Sequence, residues 1–249
     1  MVINDRIPKT EISLPTDDWP FLYLKEKSIP FAYWFTLSVL FLISLFVVKK
    51  ILASPSGGFI HRFLERNNLF MFLLGTGFML VEVKSISDLS LLFGSTWIVN
   101  SVVIAAILTM ILLANLLVLK CPPQSMIWVY AGLTISLVFN YLFKPVNLAG
   151  ISFAGKAVLG GLLSALPIFF AGVAFATAFR KVQDVSRAFG ANLLGALVGG
   201  ILENLSMVYG VAFLNLVALA IYLFSLVVYL RLAWKAQLIP ARSLEGPSH

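Results

Sequence analysis

The sequence predicts an all-α polytopic transmembrane helical bundle of about seven spans, and three observations carry that expectation. Of 249 residues, 60% are hydrophobic and only 12% charged, whereas a soluble domain carries roughly 45–50% apolar and about 25% charged residues. Several apolar runs reach about 18 residues or more, enough to cross a hydrocarbon core of about 30 Å as helices. Aromatic and basic residues gather at the ends of those runs, where a bilayer interface holds them.

Residues 1–30 form a polar lead with Pro8, Pro15, Pro20 and Pro30, too short to bury a core of its own. Within Pro15-Thr16-Asp17-Asp18-Trp19-Pro20-Phe21-Leu22-Tyr23-Leu24, Thr16 or the Asp pair can cap a short turn. Trp19, Phe21 and Tyr23 suit a membrane interface. Asp17, Asp18 and Trp19 therefore read either as a docking element or as an interfacial anchor with two solvated carboxylates, and the residues alone favour the anchor.

The first span covers about 31–48, with Tyr33 and Trp34 at one end and Lys49-Lys50 at the other. A polar loop follows, and 59–66 reads as a short amphipathic surface helix. The second span covers about 69–85. Residues 88–96 follow it, with a bend at Gly94. The third covers 97–119, the fourth 126–143, the fifth 157–179 with a kink at Pro167, the sixth 188–209 and the seventh 211–234, stopped by Arg231 and Lys235. The chain thus divides into a lead (1–30), a transmembrane helical domain (31–235) and a flexible polar tail (236–249).

The second span is the place for a site. It carries Glu82, Lys84 and Asp88, and a charge at bilayer depth is costly unless it faces protein or water and has a partner. Lys84 and Asp88 are four residues apart and can pair, which leaves Glu82 needing another partner. Gly75, Met79, Glu82 and Ser85 share a helical face.

The sixth span echoes the second. Leu193-Leu194-Gly195 followed by Glu203 matches Leu73-Leu74-Gly75 followed by Glu82, and each glutamate lies roughly 20 Å of helix into its span. Spans one and five, and two and six, run in the same direction. A parallel three-helix pseudo-repeat with the fourth span between follows, and such repeats in transporters place sites at their interface. Chance similarity between glycine-rich helices accounts for the echo about as well.

Asn192, Gly195, Gly199, Glu203 and Ser206 form one stripe of the sixth span, and Gly161, Ala165, Ile168, Gly172 and Ala176 one of the fifth, both suited to close helix packing. Asn100 and Asn115 return to nearly the same face of the third span, where they can bond to neighbouring helices. The candidate intramembrane polar cluster is therefore Glu82, Lys84, Ser85, Asp88, Asn100, Asn192 and Glu203. Glu82 with Glu203 reads as a proton- or cation-linked pair, or each as a structural carboxylate holding helices together; the structural reading is favoured.

Other classes recede. The net charge of +7 is scattered through short loops, which suits anionic lipid and not nucleic acid. Cys121 is the single cysteine, and His61 and His249 lie far apart, so no disulfide, metal or cofactor is expected. No Ser/His/Asp or Cys/His constellation supplies a catalytic residue, and enzymatic activity of the chain alone is not expected. The polar residues near Met1 argue against a secretory signal at the front. The side holding 49–68, Lys120, 180–187 and the tail has 11 Lys/Arg against 7 on the other side, which puts the tail inside and the lead outside.

The run from Pro15 to Leu24 resembles a junction in large bacterial membrane proteins of the spermidine-synthase-like family. Glu82-Val83-Lys84-Ser85, Leu91-Leu92-Phe93-Gly94-Ser95-Thr96-Trp97-Ile98-Val99-Asn100 and Ala191-Asn192-Leu193-Leu194-Gly195 resemble that family too. The resemblance covers nearly the whole chain. It implies a multi-pass domain in the bacterial inner membrane, joined to a nucleotide-binding, methyltransferase-like domain. This chain has no strand, Gly-rich loop and helix unit for a nucleoside cofactor, and no acidic pair of the aminopropyltransferase type. The resemblance therefore implies the C-terminal membrane portion alone, non-catalytic by itself, anchoring or serving a missing or separately encoded N-terminal domain. Asp17, Asp18 and Trp19 would lie at that junction. The competing expectation is a transporter for a small cationic or amphipathic solute that uses the intramembrane glutamates.

Overall fold

The computed structural model describes residues 15–21, 23, 24, 26–52, 65–93, 97–142 and 153–238. Seven long helices account for most of them. They are α1 (Phe31–Leu52), α2 (Arg66–Phe93), α3 (Trp97–Lys120), α4 (Met126–Leu142), α5 (Phe153–Phe179), α6 (Val185–Leu202) and α7 (Phe213–Leu238). A 3-10 turn, Glu203–Leu205, one helical turn, Ser206–Tyr209, and Gly210 make the elbow between α6 and α7. Segments of α2, α3, α5, α6–elbow and α7 are long and apolar enough to cross a bilayer, and Phe31–Val47 and Met126–Leu142 are shorter apolar helices.

Several boundaries differ from the sequence expectation, for local reasons. α2 does not stop at Ser85 but runs to Phe93, because the side chains of Lys84, Ser87 and Asp88 are satisfied within the helix. Lys84 pairs with Asp88, and Ser87 Oγ bonds back to the Val83 carbonyl at 2.9 Å. α6 begins at Val185, three residues before the expected start, because Asp184 caps it. The Asp184 carboxylate accepts from Arg187 N at 3.1 Å and pairs with Arg187 Nε at 2.9 Å. The sixth span is not one continuous helix, because it tightens at Glu203, where Asn204 Nδ2 bonds to the Gly200 and Ile201 carbonyls, each at 3.1 Å. α7 passes Arg231 and Lys235 and ends at Leu238. The expected surface helix at 59–66 and the bend at Gly94 lie on or across residues outside the described set.

α2 is the central helix and packs against α3, α5, α6 and α7. Its most extensive contact is with α6, which runs parallel to it. A Cβ on Gly75 would overlap the Asn192 carbonyl, one on Gly195 would overlap the Phe72 carbonyl, and one on Gly199 would lie 2.7 Å from the Thr76 carbonyl. Small residues thus allow backbone-to-backbone approach, as the stripes suggested. Ser85 does not share that face; its hydroxyl donates to the Ser164 carbonyl of α5 at 2.8 Å. That bond falls beside Pro167, which lies inside α5 and has no N–H for the Leu163 carbonyl.

α2 and α7 run antiparallel. A Cβ on Gly77 would meet the Tyr222 ring at 2.7 Å, and the Phe70 and Tyr229 rings lie 5.7 Å apart. Both contacts fix one register, in which Asn215 stands level with Lys84 and the head of α7 level with Asp88. On the same flank of α7 as Tyr222, Tyr130 of α4 and Ser225 share a hydrogen bond of 2.6 Å. Ser225 gives its only proton to the Tyr222 carbonyl at 2.8 Å, so Tyr130 is the donor. α3 and α4 both lie on α5, with Gly172 against Ala114 and Gly132 against Phe170. Gly161 of the fifth-span stripe has no atom of a described residue within 4 Å of an added Cβ.

α1 lies against α6, and α5 lies against α2. Exchanging the pair α1, α2 with α5, α6 therefore reproduces both contacts and returns the α2–α6 contact to itself. The third helices break the exchange: α3 lies on α5, whereas α7 lies on α2.

Candidate functional site

The lead is folded onto the bundle at the elbow. Thr16 and Trp19 close a turn on themselves: Thr16 N donates to the Trp19 carbonyl at 3.1 Å, and Trp19 N donates to the Thr16 carbonyl at 2.9 Å and to Thr16 Oγ1 at 3.1 Å. Pro15 and Pro20 flank the turn and fix its backbone. The capping role expected of Thr16 is therefore present.

Gly210, at φ 92°, ends the helical run in a conformation that favours glycine. The break removes the bond that a helix would make between the Met207 carbonyl and Val211 N. The lead replaces both halves. Trp19 Nε1 donates to the Met207 carbonyl at 2.6 Å, and Val211 N donates to the Asp18 carbonyl at 2.7 Å. Ala212 N donates to Asp18 Oδ1 at 2.7 Å, so Asp18 takes two donors at the head of α7, where the helix dipole favours a negative charge. A side chain at position 210 would collide with the Asp18 carboxylate.

This corrects the anchor reading for Trp19, while the carboxylates of Asp17 and Asp18 stay exposed as that reading had them. Trp19 is only 2% exposed and packs with Leu24 and Met207, with Lys27 Nζ 6.0 Å from its ring. The indole is a buried docking group, because the broken helix supplies a carbonyl for its N–H. Asp17 and Asp18 both keep exposed carboxylates with no ion pair among the described residues, and Asp18 adds its bond to Ala212 N.

The intramembrane residues divide into groups. Lys84 and Asp88 are each 6% exposed and joined by a hydrogen-bonded ion pair. Asp18 lies within electrostatic reach of Asp88, as the α2–α7 register requires. Asn215, level with Lys84, is 3% exposed, and its Nδ2 has no hydrogen-bond partner among the described residues. Asn192 does not join this group. Its Nδ2 donates to the Met71 carbonyl at 3.1 Å, nearer the other end of α2. Ser85 belongs to the α5 contact. The side chain of Asn100 lies outside the described set, and Asn115 is on the exposed face of α3, away from any helix it was expected to bond.

Glu82 and Glu203 stand at one height, because the Gly75–Asn192 and Gly199–Thr76 contacts set α2 against α6 with Glu82 opposite the end of α6. Both are half-buried, and neither has an ion pair or side-chain hydrogen bond with a described residue. Lys84, the nearest cation in the same helix, is already taken by Asp88. No group of three or more His, Cys, Asp or Glu able to hold a metal occurs among the described residues.

Sequence reasoning missed the elbow's contribution: Gly210, the Met207 carbonyl, the Val211 and Ala212 amides, and Asn215. A break between the sixth and seventh spans was visible at Tyr209-Gly210. Its role as a receptor for residues 18 and 19, nearly two hundred positions away, had no local signal.

A central helix with a buried ion pair, surrounded by helices long and apolar enough to cross a bilayer, defines a multi-pass helical membrane protein. No protein-family model, no curated protein and no solved structure matches the chain.

Proposed function

We propose that the chain is the membrane portion of a spermidine-synthase-like protein of the bacterial inner membrane, non-catalytic alone, which anchors or serves a soluble methyltransferase-like domain. The observation that supports this reading is the docking of the lead. Residues 16–19 are held by Trp19 and Asp18 on the α6–α7 elbow, so a domain attached to or bound at the lead is mechanically tied to α2, α6 and α7. The exchange of α1, α2 with α5, α6 supports a two-helix parallel repeat as the frame.

The adjoining reading frame is the first test. It is expected to encode a soluble protein with a Gly-rich nucleotide-binding fold. Co-expression followed by vesicle flotation should bring that protein to the membrane fraction only when this chain is present. No such frame, or flotation that does not depend on this chain, would remove the reading.

A second reading, transport of a small organic cation, is favoured by Glu82 and Glu203. They share one height and have no cation among the described residues, and an acidic group at bilayer depth is a functional hypothesis by default. Proteoliposome uptake of radiolabelled spermidine tests it. Saturable uptake lost in Glu82→Gln and Glu203→Gln supports the reading, and uptake no greater than in empty vesicles rejects it.

A further inference from the structure

We propose that the Thr16–Trp19 turn is a detachable latch on the α6–α7 elbow, and that its release opens the Lys84–Asp88 pair and the amide of Asn215, unpaired among the described residues, to water at that end of the bundle.

The latch has the structure of a separable part. Its turn is closed by its own backbone bonds and flanked by Pro15 and Pro20, so it keeps its shape when it leaves. Its apolar contacts, Trp19 with Leu24 and Met207, form a small cluster apart from the main core. Releasing it therefore leaves the packing of α2 with α6 and α7 intact, as expected for a unit that opens locally. The turn is attached by a few directed bonds: indole to the Met207 carbonyl, and the two acceptors of Asp18 to Val211 N and Ala212 N.

What lies beneath gives the latch a purpose. The register fixed by Gly77 with Tyr222 and by Phe70 with Tyr229 sets Asp88 level with the head of α7, where Asp18 is bound, and Asn215 level with Lys84. A buried donor without a partner is a destabilised group that gains when water reaches it. A buried ion pair likewise recovers hydration when exposed. Both favour the open state and oppose the bonds of the latch, which is the balance a switch needs. This inference does not depend on whether the chain anchors a domain or carries a solute.

The test is thiol accessibility of the full chain in lipid nanodiscs, with Cys121→Ser removing the native thiol. Three single reporters are compared: Met207→Cys beneath the latch, Asn215→Cys beside the pair, and Ala218→Cys in the main core. Asp18→Ala should raise maleimide labelling at positions 207 and 215 roughly tenfold or more, as follows from losing a hydrogen bond to a charged acceptor. Ala218→Cys should stay protected. Asp18→Asn, which keeps an acceptor oxygen, should label much as the parent does. Trp19→Ala is the second way to release the turn. The proposal is overturned if neither release variant changes labelling at position 207, if position 215 stays protected while 207 opens, or if position 218 opens in parallel.

Discussion

Trp19 and Met207, 188 positions apart, share the hydrogen bond that a continuous helix would have given to Val211. The elbow can end α6 and start α7 without stranding buried backbone groups, because Trp19 and Asp18 bring in a donor and acceptors from the lead. Trp19→Phe should therefore cost about 1 kcal/mol, the loss of one hydrogen bond. Trp19→Ala should cost about 3–5 kcal/mol by adding a cavity. Hydrogen exchange at Val211 and Ala212 checks both, since their protection should fall while that of mid-α7 amides holds.

Lys84 and Asp88 predict a non-additive pair. Removing one partner leaves a buried charge, so Lys84→Leu and Asp88→Leu should each destabilise the bundle by about 3–5 kcal/mol. Replacing both with leucine should be neutral or stabilising. Equilibrium unfolding of the four proteins in one detergent gives the cycle. Single variants that cost nothing would show the charges to be hydrated in the native state.

The α2–α6 contact leaves no room at Gly195, where a Cβ would overlap the rigid Phe72 carbonyl. Gly195→Ala should lower stability by about 1–3 kcal/mol despite alanine's better helix propensity. Gly161→Ala, with no described residue within 4 Å of the added Cβ, should be neutral or stabilise by up to about 1 kcal/mol. Thermal unfolding of the two variants side by side separates packing from propensity.

These contrasts show what the sequence contained. The Gly75 and Gly195 stripes were legible because close helix contact needs small residues at fixed spacing. The Lys84–Asp88 pair was legible because four residues make one helical turn. Gly161 meets no described residue, because a small-residue stripe states permission to pack and not the presence of a neighbour. Trp19 misled because an indole before an apolar run looks the same whether it faces headgroups or a free carbonyl. Asn215, an ordinary polar residue near a helix start, stood out only once α7 was in register with α2.

Cys121 is exposed between α3 and α4, on the side with more Lys and Arg. The positive-inside rule therefore expects a membrane-impermeant maleimide to miss it in intact cells and label it in inverted vesicles. The opposite pattern would put the lead in the cytoplasm, where a nucleoside-cofactor domain belongs. The labelling thus also decides on which side a partner domain is to be sought.

Recruitment through the lead is best measured by titrating nanodiscs that carry the full chain with the soluble nucleotide-fold protein encoded beside it. Saturable binding is expected. Trp19→Ala should weaken it roughly tenfold or more, the equivalent of about 1.4 kcal/mol. Binding no greater than to empty nanodiscs, or binding that Trp19→Ala leaves unchanged, would contradict the proposal that the lead couples this bundle to a soluble partner.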